Sequence, residues 1–268
     1  MKIKTCFDSF KIKSGEPILV TGASSGIGRA LCLLLAKRGC RIAMIARKEE
    51  NLLKLSNEIN SLGGFGLPIA CDVSNRETVF MAYNKIEKEL GKIYIAFLNA
   101  GIGSSVIGQN ADSEEIERVM CINFLGVVYW LDYLLPHMQK ENKGIIAATS
   151  SLASYRGLPG NGSYAASKSA LTTLFESYQI DFLATNIRFI IISPYFVASE
   201  LSGVSDLDIN KKRFWISSEE AAKKILSAVE KGKYHIAFPW YFRFFMSIMR
   251  ILPHFSYRLF WRLAKRGG

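Results

Sequence analysis

Short apolar runs alternate with longer amphipathic stretches along most of the chain. Ile18-Leu19-Val20 reads as a buried strand and runs into Thr21-Gly22-Ala23-Ser24-Ser25-Gly26-Ile27-Gly28, after which Arg29-Ala30-Leu31-Cys32-Leu33-Leu34-Leu35-Ala36 has helical periodicity. A second run, Arg41-Ile42-Ala43-Met44-Ile45-Ala46, stops at Arg47-Lys48. The unit then repeats: helix 49–62, strand 67–71 closing on Asp72-Val73, helix 75–90, and strand 93–98 closing on Asn99-Ala100-Gly101. Next come a long helix over 113–138, strand 143–149, helix 163–183, strand 187–193, helix 217–231 and strand 234–238. Strands alternating with helices of this length predict an α/β domain whose parallel sheet carries helices on both faces. Ligands of such sheets bind beyond the carboxyl ends of the strands, where the pattern places Asp72, Asn99, Ser151 and the run after Pro194.

Three places carry chemistry. In the glycine turn, Gly22 permits a tight exit from the strand, while Gly26 and Gly28 remove side chains where a pyrophosphate and a neighbouring strand come close, and helix-start N–H groups face the anion. At the second strand's end, Arg47 would receive a 2′-phosphate, which favours NADP(H), with NAD(H) the alternative. Then Tyr164 and Lys168 lie one helical turn apart behind the turn-rich Gly157-Leu158-Pro159-Gly160-Asn161-Gly162. An ammonium held near a phenol lowers its pKa from about 10 and makes it a usable acid or base. Ser151, at the end of the run 145–148, could hold a carbonyl oxygen beside it. Asn123, between Ile122 and Phe124, must satisfy a buried amide and reads on its own as a structural link.

Composition narrows the class. The five cysteines are odd in number and lack a Cys-x-x-Cys pair, and there are only three histidines, so neither a disulfide scaffold nor a zinc site is expected. The N-terminus lacks a sustained apolar run, and the reading is a cytoplasmic protein without a leading signal or anchor. Eight of the 34 basic residues lie after Glu230 and no acid does, which leaves 26 basic against 23 acidic residues before it. The net charge of +11 is therefore mostly a property of the tail.

With these residues in place, the chain resembles the short-chain dehydrogenase/reductase family over about residues 15 to 238. The motifs occur in order: the glycine turn at 21–28, Asp72, Asn99-Ala100-Gly101, Asn123, Ser151, Tyr164 with Lys168, and Pro194. The resemblance implies a Rossmann-type doubly wound sheet of about seven strands, order 3-2-1-4-5-6-7, forming a catalytic domain over 1–238. It also implies roles: Tyr164 as acid in reduction and base in oxidation, and Lys168 lowering its pKa and binding the nicotinamide ribose. Ser151 would orient the substrate oxygen and Asn123 hold a water in the proton relay. Asp72 would meet the adenine, Asn99 would steady the central strand and cofactor, and the backbone around Val197 would meet the nicotinamide amide. A homodimer or homotetramer is implied as well. Relatives usually carry glycine after the proline, whereas here Tyr195 follows Pro194; Ser199 keeps the hydroxyl that a threonine would offer the pyrophosphate.

Residues 239–268 form an extension. Arg243, Ser247, Arg250 and His254 share one helical face, which Phe242, Phe245, Met246, Met249 and Leu252 are expected to oppose; after Pro253 the design recurs. The expectation is an amphipathic, basic helix pair lying in the plane of an anionic membrane, with a subunit contact as the competing reading and nucleic acid disfavoured. Together these readings describe an NADPH-dependent reductase of a lipophilic ketone or aldehyde. The alternatives are an NAD-dependent alcohol or hydroxysteroid-type dehydrogenase and a non-catalytic nucleotide sensor.

Overall fold

The computed structural model describes residues 8–104, 112–204 and 214–266. Seven parallel strands form one sheet in the order β3-β2-β1-β4-β5-β6-β7. They are β1 (Pro17–Thr21), β2 (Arg41–Ala46), β3 (Phe65–Ala70), β4 (Ile95–Leu98), β5 (Gly144–Thr149), β6 (Ile187–Pro194) and β7 (His235–Phe238). Alternation along each strand sends side chains to opposite faces. Ile18 and Val20 thus join Ile42, Met44 and Phe97 in a core closed by α1 (Gly26–Ala36), α2 (Glu49–Ser61) and α7 (Ser218–Glu230). Leu19 joins Ile45, Ala96, Ile146 and Phe189 beneath α3 (Arg76–Leu90), α5 (Gly126–Lys140) and α6 (Gly162–Asp181), while α4 (Ser113–Met120) packs against α6. Pro68 lies within β3, at the sheet's edge, where a missing ladder donor is tolerated.

Two sequence expectations change. The long helix is not uniformly α: Cys121–Leu125 forms a π turn between α4 and α5, and Asn123 lies in it. This helix is long and apolar enough to cross a membrane, yet Trp130, Leu131, Leu134 and Met138 pack under the sheet. The polar stretch 200–216 between strand β6 and helix α7 suits a loop over the cleft, and its residues 205–213 lie outside the described residues. Its ends are held, because Val197 pairs with Ile216 and Ser199 with Val204.

The tail forms α8 (Trp240–Ile251) and α9 (His254–Arg266), separated at Leu252-Pro253. Their faces differ from expectation. Met246 and Met249 are buried and Phe242 stacks on Tyr195 at 3.9 Å, but the arginines do not point away from this contact. Arg243 hydrogen-bonds the Tyr155 hydroxyl, and Arg250 lies 3.9 Å from Glu176. The side facing solvent is instead a second apolar stripe of Trp240 (76 % exposed), Phe244, Ile248 and Ile251 (79 %). The reason is tertiary: the domain surface supplies acceptors for the arginines, so α8 is three-sided rather than two-sided. Helix α9 repeats the plan with Phe255, Leu259 and Leu263 exposed.

Candidate active site

At the carboxyl ends of the strands lies a cleft of about 1000 Å³, at the top of the usual range for small-molecule sites. Of the residues singled out from sequence, all but Gly28 and Asn123 line it. One end is the glycine turn. Gly22 and Gly26 have φ of +66° and +53°, and a Cβ added at Gly28 would lie 2.1 Å from the Gly22 carbonyl oxygen. No side chain fits at Gly28, so the start of α1 packs directly on the backbone leaving β1. Ser25 caps α1 with its main chain while its hydroxyl makes no capping bond, and the first turn of α1 holds no acid. Both features suit a phosphate at a helix N-terminus. A Cβ at Gly26 would sit 3.1 Å from Ser199 Cβ, which places the Ser199 hydroxyl beside the turn.

Neighbouring strands brace this end. Thr21 Oγ1 accepts from the main-chain N–H groups of Asn99 (2.9 Å) and Ala100 (3.0 Å), and Asn99 Oδ1 accepts from Thr149 Oγ1 at 3.0 Å. Asn99 thereby links β1, β4 and β5. Asp72 Oδ1 accepts from the N–H and hydroxyl of Ser74 at 2.9 and 2.7 Å, which fixes the turn after β3 beside buried Val73. Arg47 is exposed at the end of β2, lines the cleft, and makes no ion pair among the described residues.

At the other end stand Ser151, Tyr164 and Lys168. Lys168 is 3 % exposed; its Nζ donates to the Thr149 carbonyl at 2.7 Å and lies 5.7 Å from the centre of the Tyr164 ring. Burial lowers its pKa to about 8. The expected acidification of Tyr164 by Lys168 does not appear. Burial pushes the phenol above its ordinary value, and the opposing influence is a hydrogen bond with Ser151. The lysine is committed to a main-chain carbonyl that no sequence signal marks. At neutral pH this gives a protonated phenol beside a serine hydroxyl and a buried cation, a group able to give a proton to an oxygen in the cleft.

Asn123 works behind this group. Its Oδ1 accepts from Ile102 N–H at 2.8 Å, while Nδ2 donates to the Ile102 carbonyl at 2.9 Å and to Ser167 Oγ at 3.0 Å. Both amide hydrogens are engaged and Oδ1 keeps one lone pair, so a water held by Asn123 would bind that lone pair or its main chain. A π turn inside an α-helix is a common accompaniment of functional sites. Sequence reasoning missed the opposite wall of the cleft, where Phe196 stacks on Trp215 at 4.8 Å and 9° and Leu158 and Leu201 add apolar surface. The aromatic pair Phe214-Trp215 at the end of a polar loop was the available signal.

Comparison with known proteins agrees with this geometry. The family model described as short chain dehydrogenase matches residues 16–209, and the chain belongs to the short-chain dehydrogenase/reductase family, as an oxidoreductase acting on CH–OH groups. Among its relatives, an uncharacterized oxidoreductase of Myxococcus xanthus is 31% identical over 236 residues, covering 88% of this chain and 92% of the relative. An 11-beta-hydroxysteroid dehydrogenase-like protein of Arabidopsis thaliana is 28% identical over 258 residues, covering 94% and 83%. An alcohol dehydrogenase of the archaeon Thermococcus sibiricus, solved with 5-hydroxy-NADP, superposes with a TM-score of 0.76 at 26% identity, covering 84% of this chain and 96% of that one.

Proposed function

We propose that the protein is an NADPH-dependent reductase of a lipophilic ketone or aldehyde, working at an anionic membrane surface, with residues 239–268 as its docking extension. The observation that carries the reading is one cleft with Arg47 and the glycine turn at one end and Ser151, Tyr164 and Lys168 at the other. The residues present fit a dinucleotide: Gly22 and Gly26 leave the turn without side chains along the cleft, the first turn of α1 carries no acid, and a Cβ at Gly101 would lie 3.1 Å from Asn123 Oδ1 and 3.2 Å from Lys168 Nζ. Bound NADPH supplies the hydride. Gly22, Ser24, Ser25, Gly26, Ile27 and Ser199 would hold its pyrophosphate region, Arg47 its 2′-phosphate, and Asp72 and Val73 the adenosine end. Asn99, Ala100, Gly101, Pro194 and Val197 would meet the nicotinamide half.

The chain's own residues then handle one proton. Ser151 holds the carbonyl oxygen, and the Tyr164 phenol gives it the proton that completes the alcohol. Lys168 stabilises the phenolate left behind and binds the ribose, while Asn123 positions the segment at Ile102. A phenol kept protonated by burial starts in the form that reduction needs. Apolar Phe196, Leu201 and Trp215 along the cleft, with a relative named as hydroxysteroid dehydrogenase-like, support a bulky apolar substrate. The outward stripes of α8 and α9 and the uncompensated tail charge support the membrane. We read the assembly as a homodimer or homotetramer in the cytoplasm.

The test is NADPH oxidation by the full chain over carbonyls of increasing chain and ring size. Turnover should favour the larger apolar members and fall by about 10²–10⁴ in Tyr164→Phe. Arg47→Ala should cost the enzyme its preference for NADPH over NADH. Absence of turnover across the panel would leave only nucleotide binding, and an unchanged cofactor preference would return NAD as the cofactor. Flotation with phosphatidylglycerol vesicles, lost in Phe244→Ser with Ile251→Ser, tests the membrane.

A further inference from the structure

A groove of about 400 Å³ separates the loop Gly157-Leu158-Pro159 from α9, apart from the nucleotide end of the cleft. Its lining has two characters. Leu158, Pro159, Tyr257 and Trp261 are apolar, while His254, Arg258 and Arg262 follow one another at four-residue intervals along α9. Arg156 adds a further cation: its guanidinium lies 4.5 Å from the centre of the Tyr257 ring, and Nη1 donates to the carbonyls of Arg250 and Leu252, both at 3.1 Å. The Tyr257 hydroxyl donates to the Gly157 carbonyl and closes the groove's base.

Two imbalances remain. No acid follows Glu230 in the chain, and neither Arg258 nor Arg262 makes an ion pair among the described residues. Like charges one turn apart repel, so the bare helix carries a cost that an anion would reverse. Independently, the indole N–H of Trp261 is out of contact with solvent and has no acceptor. A buried donor without a partner is a cost, which a small rotation of the indole toward the groove would let an ester or phosphate oxygen remove.

We propose that this groove seats one anionic phospholipid. Its phosphate lies on Arg258, Arg262 and His254, and its glycerol and first acyl carbons lie on Leu158, Pro159, Tyr257 and Trp261. A free phosphate would leave the apolar floor unused. Leu158 lines both this groove and the catalytic cleft, so the seated lipid touches the lip past which a lipophilic substrate enters. The proposal deepens the membrane reading above and rests on it for the source of the lipid, whereas the recognition chemistry stands on the groove itself.

Calorimetric titration of the full chain with dihexanoyl phosphatidylglycerol, below its micelle concentration and without any membrane, tests it. Expected is saturable one-to-one binding, at least about tenfold tighter than that of inorganic phosphate, and weakened at least about tenfold in Arg258→Gln with Arg262→Gln. Trp261→Phe, which keeps the ring and loses the donor, should weaken it less. Absence of saturable binding, equal affinity in the double variant, or inorganic phosphate binding as tightly as the lipid overturns the proposal. Phe244→Ser with Ile251→Ser should retain the short-chain lipid even where vesicle flotation is lost, so failure of the groove and failure of the membrane reading give different results.

Discussion

The glycine turn lines the cleft, the C-terminal helices pack behind its wall at Tyr195, and the two regions are built differently. Between β1 and α1 the contact is backbone on backbone, so tight that a single methyl at Gly28 would collide with Gly22. Helices α8 and α9 sit on the domain largely through side chains: the stack of Phe242 on Tyr195, the arginines on Tyr155 and Glu176, and the buried Met246 and Met249. The first surface has one solution and tolerates nothing. The second spreads its energy over many weak contacts.

The sharpest way to test this contrast is Gly28→Ala. The added Cβ meets main chain, which cannot rotate away, so cofactor affinity should fall by about 100-fold, corresponding to about 3 kcal/mol of forced displacement, in a dinucleotide titration. A loss of less than tenfold would mean that the turn is as forgiving as the tail.

Lys168→Met comes next. The folded value of about 8 lies below the ordinary 10.5, so between these values the unfolded chain binds more protons and this group's contribution to stability rises with pH. Holding the charge below pH 8 costs on the order of 3 kcal/mol, a penalty that fades toward 10.5. Methionine removes that cost but also the bond to the Thr149 carbonyl. Activity should be lost while the melting temperature at pH 7 rises by about 3–6 °C. The gain should shrink as pH approaches 10.5, and calorimetry across pH checks the sign.

A smaller effect tests the tail. His235 accepts or donates at Ser193 Oγ (2.9 Å), packs near the Tyr155 ring, and is held to a pKa of about 4 by burial, with Arg243 and Arg250 adding to the depression. Its contribution is full above pH 6.5 and is lost as pH falls toward 4. Discounted for partial exposure, the loss is about 2 kcal/mol. His235→Gln should flatten the acid limb of thermal stability between those values, and an unchanged limb would remove His235 as its cause.

The mildest expectation concerns Phe242→Ala. Losing the stack on Tyr195 removes about 0.5–1.5 kcal/mol, so KM for apolar carbonyls should rise about 2–10-fold with cofactor affinity unchanged. Equal effects on both constants would make α8 a general stabiliser rather than a specific support for Tyr195 in the cleft wall.

Much of the molecule was legible before any coordinates. Strand and helix alternation placed the elements to within a few residues, because burial on both sheet faces writes short apolar runs and helices write a 3.6-residue period. Most candidate residues fall in one cleft for a related reason: they sit at strand ends, and a parallel sheet gathers all those ends on one edge. Illegible were the partners. Nothing near Lys168 announces that its ammonium reaches the Thr149 carbonyl, and nothing around Asn123 announces a π turn or two bonds to Ile102. These depend on main-chain atoms, which every residue carries alike.

Local rules, then, were enough for the chain to declare its class: turn residues with fixed conformational needs, periods of two and 3.6, and an uncompensated run of positive charge. Which side of α8 meets the domain was decided only in three dimensions. Phe242 and Phe244 are equally apolar, and the choice between them came from Tyr195, Tyr155 and Glu176, which lie far away along the chain and are brought close by the sheet. A periodic pattern specifies what a helix can bury, and only the assembled surface specifies what it does bury.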